Sequence, residues 1–410
     1  MTRHALLSLL VALSASAALA APPVTPVAPP PSPTPATAPA TKASPISVVL
    51  TETVVTVEDG RKVYTPVMRS LDLGQERSDA LRARGVMTTS LRADVERFAA
   101  SLARPATDTR FEYAPLAGEW QITMRQGVTV DLPATLAAVE AALKDPRSRN
   151  VNVAASFTRP SRTPDFFLNR GITAMLGEGS TNYLGSSAAR ATNIHVGTRN
   201  FQDRLFEGET FSFNDAVGPV TTANGYVTGL VIAGDQTASG VGGGICQVST
   251  TVFRALYAAG LPVVQRQNHS YQVHWYDPQG LDATIYQPTL DLKFRNDTGG
   301  AIWTQADWDD RLGVLNVRAF GRPRAETVEI STPKVLASTP APPARFIQDP
   351  TLAPGRRVQV DWAAPGATIE VERVLRRDGK VVRRDTLRSV YRPWPNIYRV
   401  GPDVPADAKR

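Results

Sequence analysis

The sequence predicts an α+β protein of several domains, and three observations carry that prediction. Two stretches, 46–67 and 368–391, alternate apolar and polar residues around Asp59-Gly60 and Asp378-Gly379, a dipeptide that favours a tight hairpin turn. Two others, 88–102 and 133–143, repeat their apolar residues at helical spacing. Most of the glycine collects between them and the C-terminal hairpin, in 164–321. With 410 residues, the chain is long enough for two or three domains.

Taken from the N-terminus, the order is as follows. Met1-Thr2-Arg3-His4 precedes an apolar run, 5–18, broken only by Ser8, Ser14 and Ser16, and Ala18-Leu19-Ala20 supplies a small-x-small site. This is the profile of a signal peptide over 1–20, with cleavage expected before Ala21. A retained signal anchor is the alternative, which would make the cell membrane a partner. Either way the chain is expected to be exported, to the periplasm or cell wall. Residues 21–45 are almost entirely Ala, Pro, Thr and Val and are expected to be an extended N-terminal linker.

A small α+β domain is expected over 46–160. It comprises the first hairpin, the helix at 88–102, strands within 111–130, and the helix at 133–143 with Asp131 as N-cap. The central glycine-rich α+β domain spans 164–325. A second linker is expected at 331–354, where Pro, Ala and Thr return, followed by a C-terminal β-hairpin region at 355–402.

The formal net charge of +7 is a modest excess, suited to work near anionic wall polymers or headgroups. No basic patch interleaved with aromatics and no reading motif points to nucleic acid. One cysteine, Cys246, permits no intramolecular disulfide. A lone thiol in an exported chain invites a functional reading, although composition alone favours a small buried hydrophobe.

Gly240-Val241-Gly242-Gly243-Gly244-Ile245-Cys246-Gln247-Val248-Ser249-Thr250-Thr251 is the most unusual run in the chain. Behind it Val248, Val252, Phe253, Leu256 and Tyr257 recur at helical spacing up to Gly260-Leu261-Pro262, which places Cys246 at a helix N-terminus. The helix dipole and unpaired amides there favour the thiolate. Amides of Gly243, Gly244 and Cys246 are candidate oxyanion donors.

A thiolate nucleophile needs a base. Of four histidines, His4 belongs to the signal segment, His195 lies near the start of a helix, and His269 follows the Cys246 helix by a short loop and strand. His269 is the better candidate, with Asp282 as the group that orients it. Zinc on Cys246, His269 and His274 is disfavoured, because two histidines five apart in a strand point to opposite faces. A phosphate loop is disfavoured because Gly244 is not followed by Lys and Ser or Thr.

Seven ordered blocks resemble the VanW-like family. They are Gly208-Glu209-Thr210-Phe211-Ser212-Phe213-Asn214, Gly218-Pro219, Asn224-Gly225-Tyr226, the run from Gly242 to Thr250, Arg266-Gln267-Asn268-His269-Ser270, Asp282-Ala283-Thr284 and Asp291-Leu292-Lys293-Phe294. The core of the resemblance is 190–305. Residues 91–143 are more weakly similar to the peptidoglycan-binding domain that accompanies VanW domains, and the tail from Val390 to Gly401 is similar to family C-termini.

The resemblance implies a wall-associated protein and, more finely, a cysteine-dependent L,D-transpeptidase. Such an enzyme forms 3-3 cross-links through a thioester acyl-enzyme, with peptidoglycan stem peptides as partners and no cofactor. Cys246 and His269 match the motifs that carry this role. Arg266, Gln247 and Ser270 join Gly243 and Gly244 as candidate substrate or oxyanion contacts, Arg266 as a partner for a substrate carboxylate. Family members often have an acidic residue where this chain has Gln265. Two other readings stay open: a non-catalytic wall-binding protein related to glycopeptide resistance, and a thiol hydrolase that trims stems.

Overall fold

Asp59-Gly60 turns the chain as the sequence predicts. Ser47–Glu58 and Arg61–Asp72 pair antiparallel from Ser47 opposite Asp72 to Glu58 opposite Arg61. Asp59 and Gly60 sit at φ 48° and 71°, the left-handed region that a two-residue hairpin turn requires. The structure, a computed structural model, describes residues 43–233 and 236–405. The signal segment 1–20 and nearly all of the 21–45 linker lie outside the described residues.

The N-terminal region is α+β as expected. Its five-stranded sheet adds Glu119–Arg125, Thr107–Ala114 and, in parallel, Asn150–Asn152 to the first hairpin. Three helices pack on it: α1 (Gln75–Arg84), α2 (Thr89–Leu102) and α3 (Leu132–Lys144). Thr88 caps α2 by accepting from the Leu91 amide, and Asp131 caps α3 by accepting from the Ala134 amide. The apolar stripe of α2, Leu91, Val95 and Leu102, is fully buried, each side chain contributing roughly 1.5–3 kcal/mol of transfer free energy.

The central region carries α4 (Pro164–Leu168), α5 (Ala188–Arg199), α6 (Phe213–Val217) and α7 (Ile245–Ala258). Its sheet runs Ala174–Asn182, Val314–Gly321, Ile302–Asp309, Arg204–Phe206, all antiparallel. Phe111 and Val57 of the N-terminal sheet pack with Phe167, Trp303 and Phe320 in a shared core. The buried Gln305 amide bonds both the N–H and the carbonyl of Phe111, at 2.8 and 3.0 Å.

Helix α7, which carries Cys246, lies directly on the strand Ala174–Asn182. A Cβ at Gly179 would come 2.1 Å from the Thr251 carbonyl oxygen, and one at Gly177 would come 2.4 Å from the Ala259 amide. The two glycines face the same side of their strand, so backbone meets backbone there.

One expectation is corrected. The stretch 331–354 contains Lys334–Thr339, paired with Gly366–Arg377, and Arg345–Gln348, paired in parallel with Ile397–Val400. Proline and alanine between short edge strands gave that stretch a linker-like composition. The whole is mixed and strand-rich, with 22% helix and 41% strand. The expected C-terminal hairpin is present, Gly366–Arg377 with Lys380–Tyr391, turning at Asp378 and Gly379 with φ 50° and 75°.

Gly179→Ala is expected to lower the free energy of unfolding by about 3 kcal/mol, because the atoms it meets are helix backbone and cannot yield. Urea unfolding checks this through the midpoint at unchanged m-value. A change below about 0.5 kcal/mol would show that the helix can move off the sheet without cost.

Candidate active site

The glycine run works as a conduit. Gly244 is the N-cap of α7 at φ 116°, and a Cβ on it would meet the Arg190 carbonyl oxygen at 2.9 Å and Ile194 at 3.2 Å. Asn193 holds the run, donating to the carbonyls of Gly243 and Val227 at 2.9 and 3.0 Å and accepting from the Val227 amide at 2.8 Å. Cys246 thereby sits in the first turn of α7, half-buried. As the sequence predicts, the thiol stands at a helix N-terminus.

The residues after Cys246 bring its partners to it. Ser249 and Thr250 donate to the Ala283 carbonyl at 2.6 and 3.2 Å, and the Ala283 amide donates back to Thr250 at 3.1 Å. Ala283 is pinned to the helix, so its neighbours Asp282 and Thr284 lie one residue to either side. Thr284 Oγ1 lies 3.5 Å from Cys246 Sγ, and the Ile285 carbonyl lies 3.8 Å from it. The Thr284 amide donates to the Gln267 carbonyl at 2.8 Å, which lays the His269 segment alongside.

Asp282 is the buried hub of the site, 1% exposed. Its Oδ2 accepts from His269 Nδ1 at 2.5 Å and from the His269 amide at 2.8 Å. Its Oδ1 accepts from Arg266 Nη2 at 3.1 Å and from the Tyr391 hydroxyl. Burial alone would raise the Asp282 carboxyl; the His269 hydrogen bond and charge and the Arg266 charge overcome it and hold the group well below the usual carboxylate range.

His269 is 3% exposed, with its ring 4.8 Å from that of Tyr276. Burial disfavours its protonation, but Asp282 and Cys246 outweigh that and push its pKa up to about 9. Its outer nitrogen, Nε2, is buried and has no hydrogen-bond partner of normal geometry. Even so, the thiol is close enough to couple to it electrostatically. For Cys246 burial acts upward, whereas the neighbouring His269, the Ile285 backbone and Thr284 bring the net shift below the ordinary thiol value. Both shifts favour the thiolate–imidazolium pair.

The other sequence-predicted residues are distributed less simply. Arg266 gives its guanidinium to Asp282, to Ser389 Oγ at 2.9 Å and to the Gly280 carbonyl at 3.2 Å, so it buttresses the carboxylate rather than opening toward a ligand. Gln247 is fully buried between Arg190 and the Asn182 carbonyl. Through its carbonyl, Ser270 accepts from the Arg392 amide at 2.8 Å. His195, in the middle of α5, bonds Asp310 at 2.8 Å and stacks on Trp308, away from the thiol. His274 lies in a 3-10 turn, His274–Tyr276, not in a strand, with Trp275 and Trp362 beside it.

Sequence reasoning missed Arg190, Asn193, Tyr276 and Tyr391. Tyr391 carried a faint signal, since it stands within the Val390–Pro393 block already read as family-like. A tyrosine in a distant hairpin nevertheless gives no sign of pointing at Asp282. Ser389, Val390 and Arg392 also bond the 266–270 segment, and Tyr271 stacks on Trp394 at 3.9 Å. The C-terminal region thus forms one wall of the site.

Cys246 at a helix N-terminus, with the buried His269–Asp282 pair beside it, is the most concentrated set of reactive side chains around α7. The VanW like protein family matches residues 189–318 and the G5 domain family matches residues 333–403, so the chain carries a VanW-like domain followed by a G5 domain.

Over 135 residues, 33% of this chain and 44% of the other, it is 39% identical to "Uncharacterized protein YoaR" of Bacillus subtilis (strain 168). Over 139 residues, 32% of this chain and 50% of the other, it is 33% identical to "Vancomycin B-type resistance protein VanW" of Enterococcus faecalis (strain ATCC 700802 / V583). These matches take in about half the length of those curated relatives or a little less.

Among solved structures it is similar to "Crystal structure of HP0197-G5", at 19% identity over 18% of this chain and 97% of that one, with a TM-score of 0.10. It is also similar to "IgA1 Protease G5 domain structure", at 17% identity over 19% and 94%, with a TM-score of 0.12. TM-scores this low say nothing about shape. The VanW and G5 families are associated with extracytoplasmic cell-wall proteins, consistent with wall association here. Among the described residues no helix is long and apolar enough to cross a membrane.

The coupling has a measurable signature. Alkylation of Cys246 by iodoacetamide is expected to rise with pH through a midpoint below 9.0, the ordinary thiol value, and to show a second inflection near 9 as His269 loses its proton. Asp282→Asn removes the charge that keeps His269 protonated, and a weaker imidazolium stabilises the thiolate less, so the thiol midpoint moves up. Tyr391→Phe keeps that charge and takes one donor from it, so the imidazolium is held more firmly and the thiol midpoint is expected to move down slightly. A profile unchanged by both variants would separate the C-terminal region from the chemistry of the thiol.

Proposed function

We propose that this protein is an exported, wall-associated cysteine acyltransferase: an L,D-transpeptidase that forms 3-3 cross-links between peptidoglycan stem peptides. The observation that carries this reading is the Cys246, His269 and Asp282 arrangement, with Nε2 of the imidazole left without a hydrogen-bond partner among the described residues. The wall association of the VanW and G5 families supports the choice of substrate.

The chemistry follows from the charge states. The Cys246 thiolate attacks the carbonyl of the third stem residue, forming the C–S bond and placing negative charge on the oxygen. The amides of Ile245 and Gln247 close turns onto the Gly242 and Gly244 carbonyls at 3.0 and 2.9 Å. Those of Gly243, Gly244 and Cys246 are the ones assigned to the oxyanion. The His269 imidazolium gives its Nε2 proton to the departing amine as the C–N bond breaks, leaving a thioester. An acceptor amine then attacks the thioester, neutral His269 takes its proton, and the thiolate departs. Asp282 touches neither reactant; it fixes the imidazole tautomer and stabilises its charge.

Incubation of the full chain with tetrapeptide stems is expected to yield 3-3 dimers. Cys246→Ala abolishes them, and His269→Gln lowers kcat by about 10²–10⁴-fold. Mass spectrometry of the muropeptides separates the rivals. Tripeptide monomers without dimers would mean a hydrolase. If wild type and Cys246→Ala alike make no product yet bind sacculi, the protein is a wall-binding module and the acyltransferase reading fails.

A further inference from the structure

Arg190 lies beside the thiol and plays no part in the steps above. It is 9% exposed, on the face of α5 that meets the start of α7. Its Nη1 donates to Ser186 Oγ and its Nη2 to Gln247 Oε1, both at 2.7 Å. The guanidinium carbon sits 3.8 Å from the ring centroid of Trp275. Every side-chain partner is neutral, and among the described residues no carboxylate comes within ion-pair distance. A buried guanidinium without a counter-ion is costly. Arg266 has Asp282 as an ion-pair partner; among the described residues Arg190 has none.

The charges around the thiol sharpen the point. The Asp282 carboxylate is ion-paired with His269 and Arg266, and Arg190 stands outside that ion-paired set. Tyr276 connects it to the rest, with its ring against His269 and its hydroxyl in the field of Arg190. On the outer side, Trp275, the exposed His274 and the half-exposed Trp362 continue from Arg190 as a row of rings.

We propose that Arg190, with Trp275 across its face, is the subsite for the free C-terminal carboxylate of the donor peptide, one residue beyond the amide that Cys246 attacks. Guanidinium donors in a planar fork match a carboxylate, and one residue of peptide spans only about 3.3–3.6 Å. An anion held at Arg190 therefore sets which amide lies over the thiol. Gln247 and Ser186 hold the guanidinium in place. The inference rests on the acyltransferase reading for the bond attacked, but the anion subsite is testable without turnover.

N-acetylalanine, of either hand, carries the scissile amide and the terminal carboxylate together. Bound at this subsite, it is expected to slow alkylation of Cys246 in the wild-type chain by neutral iodoacetamide, and N-acetylalaninamide is not. Arg190→Gln is expected to lose the protection, and Arg190→Lys to keep part of it.

In turnover, a tetrapeptide acid is expected to exceed its C-terminal carboxamide in kcat/KM by about tenfold or more in wild type, as for loss of a charged hydrogen bond, and to lose that advantage in Arg190→Gln. Equal protection by acid and amide, or none by either, overturns the subsite without recourse to any variant. Arg190→Gln slowing alkylation while the acid still protects would assign Arg190 to the thiolate and overturn it as well. Protection without any peptide product would leave the subsite standing and sink the acyltransferase. Cross-linking indifferent to acid or amide would do the reverse.

Discussion

The site depends on keeping one ion, the Asp282 carboxylate, charged inside the protein. A carboxylate at 1% exposure survives only if its lone pairs are met by donors and its charge by cations. Those donors come from two stretches separated from that of Asp282 itself: Arg266 and His269 after α7, and Tyr391 from the C-terminal hairpin. Folding the ion in means folding all three together. The hairpin is thus part of the site's architecture and not an appended module. Removing a single partner from such a buried set costs about 3–5 kcal/mol, which ties the integrity of the G5 region to that of the VanW-like domain.

A second constraint sets where the thiol can stand. Helix α7 lies on backbone at Gly177 and Gly179, and its N-cap passes Arg190 and Ile194 with no room for a Cβ. The helix axis and its first turn are therefore fixed at both ends of contact. Ser249 and Thr250 use this rigid body to hold Ala283, so Asp282 and Thr284 inherit their positions from the helix. Rigid placement of this kind lets a histidine in an irregular segment serve as a precise base. It also gives the Ser-Thr-Thr run after Cys246 a structural role, although in sequence it reads as part of the catalytic motif.

Much of the organisation was legible beforehand because it rests on local signals. Both hairpins announce themselves by Asp-Gly, the helices of the N-terminal region by apolar spacing and by Asp131 as a cap, and the thiol's place at a helix start by glycines followed by helical spacing. His269 and Asp282 were reachable by elimination among few histidines and by motif. What escaped depends on tertiary placement. Short paired strands in 334–348 carry a linker's composition, because edge strands need few apolar residues. Tyr391 is 109 residues from the carboxylate it bonds, and no periodicity spans that separation.

The two arginines show the limit most clearly. Arg266 stands inside a family-like block beside the base, which made it the natural candidate for a substrate carboxylate; Arg190 sits at the edge of the resemblance and drew no attention. The structure reverses their availability. Arg266 is neutralised by Asp282 and further bound by Ser389 and Gly280, so a substrate anion could reach it only by displacing a buried ion pair. Arg190 has neutral partners and an aromatic face, which fix its position without cancelling its charge. Sequence spacing identifies which side chains are cationic; whether a cation is already satisfied is a property of the fold. A guanidinium held in place but not neutralised, beside a thiol poised to ionise, is the arrangement expected where the missing counter-ion arrives with the ligand.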